Sequence, residues 1–356
     1  MKAEANVFEG GRARTGCVRH NGFMNTESQI DMRELGATGL KIFPIALGCM
    51  GMSGMYGAAD DDESIATIHA ALDAGVTLLD TGDFYGAGHN EMLIGRALKD
   101  RRNRAVLSVK FGALRSPDGG WGGFDGRPAA VKNFAAYSLK RLGVDHIDIY
   151  RPSRLDPNVP IEDTIGAIGD LIRAGYVRHA GLSEVGVEAI RRAHSVLPIS
   201  DLQIEYAMIS RGPETRIFPV LEELGIGVTA YGVLSRGLLS GSKPAESGDF
   251  RAHLPRFSGE NFRQNEKVVE ALKQLAADKG ATPAQLAIAW VLAKGPRIVP
   301  VIGARTRKQL SESLAALQVK LSAADLARIE QTVLPSAIAG TRYDERQMRM
   351  LDSERI

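Results

Sequence analysis

The feature that most restricts this chain is a repetition. From about Leu35 onward, short apolar runs rich in β-branched residues alternate with amphipathic stretches, at a spacing of roughly thirty to forty residues. The strand candidates are Ile45 to Gly48, Thr77 to Leu79, Val106 to Val109, Ile147 to Tyr150, Val177 to Leu182, Leu202 to Glu205, Gly227 to Tyr231 and Ile298 to Ile302, which makes eight. Helical patterns follow at Asp62 to Ala74, Asn90 to Lys99, Pro128 to Leu142, Ile161 to Ala174, Val187 to His194, Glu214 to Leu224, Pro283 to Ala293 and Thr306 to Leu317. Several open on Pro, Asp, Glu or Thr, as helix starts prefer. A doubly wound sheet would want a glycine-rich turn from its first strand into a helix. The segment LGCMGMSGMYG is glycine-rich but carries no G-x-G-x-x-G at a helix start. The expected fold is therefore α/β, a (β/α)8 TIM barrel, with additions.

The additions are an N-terminal hairpin and extra helices. RELGATGLKIFPI has two short runs around a glycine-containing turn, predicting a hairpin that caps the barrel floor. Asn261 to Lys279 adds a helix beyond the repeat count, and TPAQLAIAWVLAK is a strongly apolar helix ahead of the last strand. The expected boundaries are a flexible extension over 1–31, the barrel over 32–335 and a C-terminal tail over 336–356. The extension lacks any apolar period; Met24 and Met32 are alternative starts, and Glu4 and Glu9 argue against a transit peptide. A chain of 356 residues suits one large barrel domain. With 44% apolar and 24% charged residues and a net charge of +2, it has no field to attract polyanions, so nucleic acid is not implied. No apolar run approaches the ~20 residues of a membrane span. Two cysteines, Cys17 and Cys49, make neither a disulfide framework nor a metal-cluster spacing, and a reduced, cytoplasmic setting is expected.

Barrel enzymes build their sites from the loops at the C-terminal ends of the strands. The second strand leaves in that direction through VTLLDTGDFYG, carrying Asp80, Asp83 and Tyr85; Lys110 ends the third strand and Ser153 follows the fourth. A phenol of ordinary pKa near ~10 is a poor proton carrier at neutral pH unless a neighbour tunes it. An ammonium at the end of an apolar strand needs a carboxylate, and Asp80 is the obvious partner for Lys110. Together Asp80, Lys110 and Tyr85 would make a general acid that hands a proton to an oxygen, with Lys110 lowering the phenol's pKa. From spacing alone, a snorkelling Lys110 and a packed Tyr85 fit equally.

The segments LLDTGDFYGAGHNEMLIGRAL, VLSVKFG, AYGVLSRGLLSG and PVIGARTRKQLSESLAAL resemble the aldo-keto reductase family, over essentially the whole folded chain from about Leu35 to Leu317. The likeness is to its auxin-induced-protein-like and pyridoxal-reductase-like branch. It implies a barrel that binds NADPH or NADP+ without a Rossmann domain and reduces a small-molecule carbonyl, with Tyr85 as general acid tuned by Lys110 and Asp80. The family's fourth position, a His in Y-x-Q-H-R-x-D, is Ser153 in IYRPSRLD, with Pro152 in place of Gln; His146 precedes that strand and is not a substitute. A hydroxyl donates a hydrogen bond but carries no charge at pH 7, so substrates needing less help, such as aldehydes or reactive ketones, are expected.

For the cofactor, the resemblance assigns Ser183, Glu184 and Gln203 to the carboxamide, Glu184 standing where many members have Asn. It assigns Tyr231 to stacking on the nicotinamide, Asp80, Gly48, Cys49 and Met50 to positions near the nicotinamide ribose, and Gly232, Val233, Leu234, Arg236, Gly237 and Leu238 to the pyrophosphate. Ile302, Gly303, Ala304, Arg305, Gln309, Glu312 and Ser313 fall to the adenosine end, where Arg305 would favour NADPH over NADH. Trp121 in the glycine-rich loop SPDGGWGGFDGRP could roof the substrate or anchor a surface loop, and the tail IAGTRYDERQMRMLDSERI could close over the site or dock as structure. Two other functions fit the same residues: a dehydrogenase acting on a sugar or pyridoxine-like alcohol, and a cofactor-sensing module with little turnover, as the potassium-channel β subunits of the family partly are.

Overall fold

The computed structural model describes residues 30–244 and 249–355. Eight parallel strands close into a barrel: β1 Ala46–Gly48, β2 Leu78–Gly82, β3 Val106–Phe111, β4 Ile147–Pro152, β5 Val177–Ser183, β6 Ile199–Glu205, β7 Gly227–Tyr231 and β8 Ile298–Gly303. Each strand pairs with the next, and β8 closes on β1. The eight expected strands are these eight, lengthened toward their C-terminal ends at β2, β3, β4, β5 and β8, where the site residues lie.

Two helices match the expected bounds throughout, Pro128–Leu142 and Pro283–Ala293. The last expected helix ends earlier: Arg307–Leu314 is α-helical and Ala315–Gln318 tightens into a 3-10 turn. The additional helix is Gly259–Ala277, between β7 and β8. The Trp121 segment is a small antiparallel hairpin, Ala113–Arg115 against Trp121–Phe124. Its glycines hid this from a reading that looks for β-branched runs.

The N-terminal hairpin pairs Arg33–Glu34 with Lys41–Ile42 and plugs the barrel floor. Leu35 and Ile42 pack with Ala46, Leu78, Ile149, Val299 and Val301 in one buried cluster. Gly36 sits at φ +71°, and a Cβ there would lie 2.3 Å from the Ser200 carbonyl oxygen, so only glycine lets the hairpin seat this closely. The described residues from Asp31 onward form one compact unit. The expected extension falls outside the described residues up to position 29.

Strand alternation carries the barrel from oil to charge. Side chains two apart point the same way, so Leu78 in the floor cluster is followed by Asp80, and Ile149 by Arg151. Register then sets these residues side by side: Asp80 is opposite Ser108, Gly82 opposite Lys110, and Lys110 opposite Arg151.

Candidate active site

Asp80 is the hub. Lys110 Nζ donates to its Oδ2 at 2.6 Å, while Ser108 Oγ at 2.9 Å and Gln203 Nε2 at 2.8 Å donate to Oδ1. Beneath it, Arg151 Nη2 donates to Ser108 Oγ at 3.0 Å and Nη1 to Asp201 Oδ2 at 2.8 Å, with both ions fully buried. Barrel interiors usually fill with branched apolar side chains. A layer of paired charge here holds Asp80 and Lys110 from below. The expected ion pair between them is thus present and buried, with side chains 7% and 5% exposed.

Tyr85 lies over this network, its ring centroid 5.1 Å from Lys110 Nζ, its phenol buried and its edge against Phe84. One expectation is corrected. The phenol is not pulled below its ordinary pKa; burial pushes it well above, and the Asp80 carboxylate adds to that. Lys110 is largely neutralised at 2.6 Å by Asp80, and its own ammonium is pulled below the ordinary value by burial. Tyr85 is therefore fully protonated at neutral pH, a loaded donor.

Ser153 is 3% exposed, and its Oγ has no hydrogen-bond partner among the described residues. Arg154 Nη1 donates to the Ser153 carbonyl at 2.6 Å. Trp121 meets the ring of Phe84 edge-on at 5.8 Å and lies under Arg115, which braces it beside the Tyr85 loop while leaving it 46% exposed.

Asp83, in the same loop, is 8% exposed. Burial, with the nearby Glu91 carboxylate, pushes its pKa up to about 7, while the Gly112 N–H opposes this weakly at 3.3 Å. An unfolded Asp ionises near ~4, so between that value and about 7 the unfolded chain gives up the proton and the folded one keeps it. Stability from this group is present at low pH and lost as pH rises toward 7. Asp83→Asn should therefore raise the melting temperature more at pH 8 than at pH 5, by on the order of 2 kcal/mol in differential stability. Equal effects in thermal melts at the two pH values would contradict this.

The other assigned residues line the same rim. Gly48 is opposite Asp80 and Gly303, and Ser183 opposite Gln203. Cys49 is fully buried; its N–H donates to the Asp80 carbonyl, and burial pushes its thiol well up, so it stays protonated. Met50 opens the 3-10 turn Met50–Ser53. At the end of β7, Tyr231 is opposite Glu205. Gly232 follows, Val233 is buried, and Leu234 leads into the turn Ser235–Ser240, where Ser235, Arg236 and Gly237 have φ of +46°, +57° and +93°. Leu238 is buried there, and Ser235 Oγ is buried without a partner among the described residues. The backbone N–H groups of Ser235 and Gly237 donate to the carbonyls of Gly232 and Leu234, so the left-handed residues fold the loop tightly on itself.

At β8, Ile302 and Ala304 are buried and Gly303 is exposed. The guanidinium of Arg305 donates from Nη1 to the carbonyls of Tyr56 and Ala58, both at 3.1 Å, and its backbone N–H donates to Gln309 Oε1. Ser313 Oγ turns back onto the Gln309 carbonyl, and the carbonyl of Glu312 accepts from Gln285. Arg307 is occupied by Glu63.

Two assigned side chains are already engaged within the protein. Glu184 does not offer a free carboxylate to a carboxamide. Oε1 accepts from Glu205 N, the Tyr231 hydroxyl and Arg342 Nη1, and Oε2 accepts from Arg342 Nη2 and Ser353 Oγ. Against the upward push of burial, Arg342 holds its carboxyl well below the usual range. Arg236 is likewise engaged, its Nη2 donating to Glu205 Oε2 at 3.1 Å and its guanidinium 4.4 Å over the Tyr343 ring. The tail docks, and sequence reasoning missed that Arg342, Tyr343, Ser353 and the carboxylate of Glu205 contact these assigned residues. No pattern in the tail's own sequence signals this, because the partners of Arg342 and Ser353 lie far back in the chain.

A model of the Aldo/keto reductase family matches residues 44–333. The chain is 40% identical to a soybean (Glycine max) protein named probable aldo-keto reductase 1 over 326 residues, 89% of this chain and 93% of that one. Among solved structures it is similar to a glycerol dehydrogenase from Gluconobacter oxydans, with a TM-score of 0.77, 27% identity and coverage of 92% and 98% of the two chains. It is also similar to the holo form of an aldo-keto reductase from Bacillus halodurans, with a TM-score of 0.72, 26% identity and coverage of 89% and 99%.

Proposed function

The chain belongs to the aldo/keto reductase family, and from that premise we propose that it reduces an aldehyde or reactive ketone with NADPH, using Tyr85 as the general acid. The observation that carries the reading is the 2.6 Å Lys110–Asp80 pair, buried 5.1 Å from the Tyr85 ring centroid at the strand ends. An ion pair placed only for stability gains little there, because desolvation cancels most of the attraction.

The residues present fit the cofactor. The buried Ser235 hydroxyl, without a partner among the described residues, suits the pyrophosphate. Tyr231, Ser183 and Gln203 suit the nicotinamide end. Arg305 uses only Nη1 on the two carbonyls, which leaves the rest of its fork for the ribose phosphate. A bound NADPH supplies the hydride.

The protein's part is the proton. As the carbonyl oxygen becomes an alkoxide, it turns far more basic than a phenolate, so even a phenol held above its ordinary pKa gives up its proton to it. The phenolate left behind faces the Lys110 ammonium, an attraction realised only as the proton leaves. Ser153, with its hydroxyl unpartnered, donates a hydrogen bond to the same oxygen in place of the imidazole.

The test is NADPH consumption across a panel of aldehydes, ketones and sugars, with NADP+ plus the matching alcohols as the reverse arm. The name of the Gluconobacter relative, a glycerol dehydrogenase, favours running that arm, since oxidation of an alcohol is the same chemistry reversed. Arg305→Ala should weaken NADPH binding by about tenfold or more, with little effect on NADH. Equal loss for both cofactors in a fluorescence titration would reject the phosphate role.

A further inference from the structure

Glu184 is 158 residues from Arg342 in the chain, yet the two form a bidentate pair at 2.8 and 2.7 Å with side chains 0% and 6% exposed. Glu184 also stands at φ +54°, a left-handed backbone that a non-glycine residue keeps only when its surroundings hold it there. Those surroundings are the Gln203 carbonyl, the Glu205 N–H and Tyr231 on one side and the tail on the other. Ser353 donates to the Glu184 carboxylate and, through its N–H, to the Glu184 carbonyl, while Asp352 accepts from the Gly186 N–H.

The arrangement reaches two of the residues assigned to the cofactor. The Glu184 oxygen that accepts from Arg342 also accepts from the Tyr231 hydroxyl at 2.7 Å, and that hydroxyl lies 3.2 Å from the hydroxyl of Tyr343. On the other side, Arg342 lies 3.6 Å from Glu205, which is paired with Arg236, and Arg236 rests on the Tyr343 ring. Two buried carboxylates and one tail arginine thus hold the Tyr231 hydroxyl and the Arg236 guanidinium, both against Tyr343.

We propose that Arg342 is a positioning residue for NADPH, which sets the Tyr231 ring through Glu184 and the Arg236 guanidinium through Glu205 and Tyr343. The proposal rests on the reading of this rim as an NADPH site. Truncating Arg342 leaves Glu184 buried with two of the five donors to its carboxylate gone, and the cost falls on the two groups it orients.

NADPH binding to the full-length chain, measured by equilibrium fluorescence titration, tests it. Arg342→Met should raise the Kd for NADPH by tenfold or more, and KM for NADPH should follow while kcat at saturation stays within about twofold. Arg342→Lys, which keeps the charge but loses the fork, should fall between the two. Combining Arg342→Met with Glu184→Gln should cost less than the sum of the two. An unchanged Kd in Arg342→Met, or additive effects in the pair, overturns the proposal; a tighter Kd overturns it too, because the tail would then block the site. If Arg342→Met does not fold, Arg342→Lys decides, and a Kd equal to wild type overturns the proposal. Failure of the wild-type chain to bind NADPH would instead overturn the reading of the rim.

Discussion

Tyr85→Phe should lower turnover by about a thousandfold or more and leave NADPH affinity within about twofold of wild type. The substitution removes one oxygen from a ring that packs edge-on against Phe84, so the shape of the loop survives and only the transferable proton is lost. Because the phenol is held well above its ordinary pKa, the wild-type rate should not rise with pH across the neutral range, as it would if a phenolate acted as base. Steady-state rates with NADPH and a reactive aldehyde, paired with a binding titration, check both halves. A variant that keeps most of the wild-type rate would remove Tyr85 from the chemistry.

Lys110→Met should damage both stability and rate. Asp80 would keep its bonds from Ser108 and Gln203 but lose the ammonium at 2.6 Å, leaving a buried carboxylate underpaired. Breaking one side of such a pair costs about 3–5 kcal/mol, and the developing Tyr85 phenolate would lose the ammonium over its ring, for a further loss of about a hundredfold in turnover. The double variant Asp80→Asn with Lys110→Met separates the two effects. It removes both charges, so the melting temperature should recover toward wild type while turnover stays low. Recovery of turnover along with stability would mean that the pair is structural only.

How far these residues were legible in the sequence follows from the distances over which their partners lie. Strand alternation links Leu78 to Asp80, and a strand end marks Lys110, so the pair across neighbouring strands could be anticipated from one motif each. The direction of the Tyr85 pKa could not, because desolvation depends on how deeply the packed loop buries the ring. Neither could the layer below, where Arg151 meets Asp201 fifty residues on, since each charge by itself looks like a mistake in an apolar strand. Glu184 was read as a substitute for Asn facing the carboxamide. Its partners Arg342 and Ser353 come from a tail whose local pattern predicts nothing, and only the docked chain shows the carboxylate fully occupied. The glycine-rich segment around Trp121 paired as a hairpin without β-branched residues, held by Arg115 and Phe84.

The central claim is that a phenol seated over the Lys110–Asp80 pair delivers a proton as hydride reaches a carbonyl. Its most direct test is a single-turnover experiment in which enzyme loaded with NADPH is mixed with an excess of reactive aldehyde and the reduced nicotinamide is followed by absorbance. The account predicts rapid loss of the signal in wild type and a decay at least a hundredfold slower in Tyr85→Phe. A wild-type signal that does not decay would mark the protein as a cofactor sensor, and equal decay in the two would take the proton away from Tyr85.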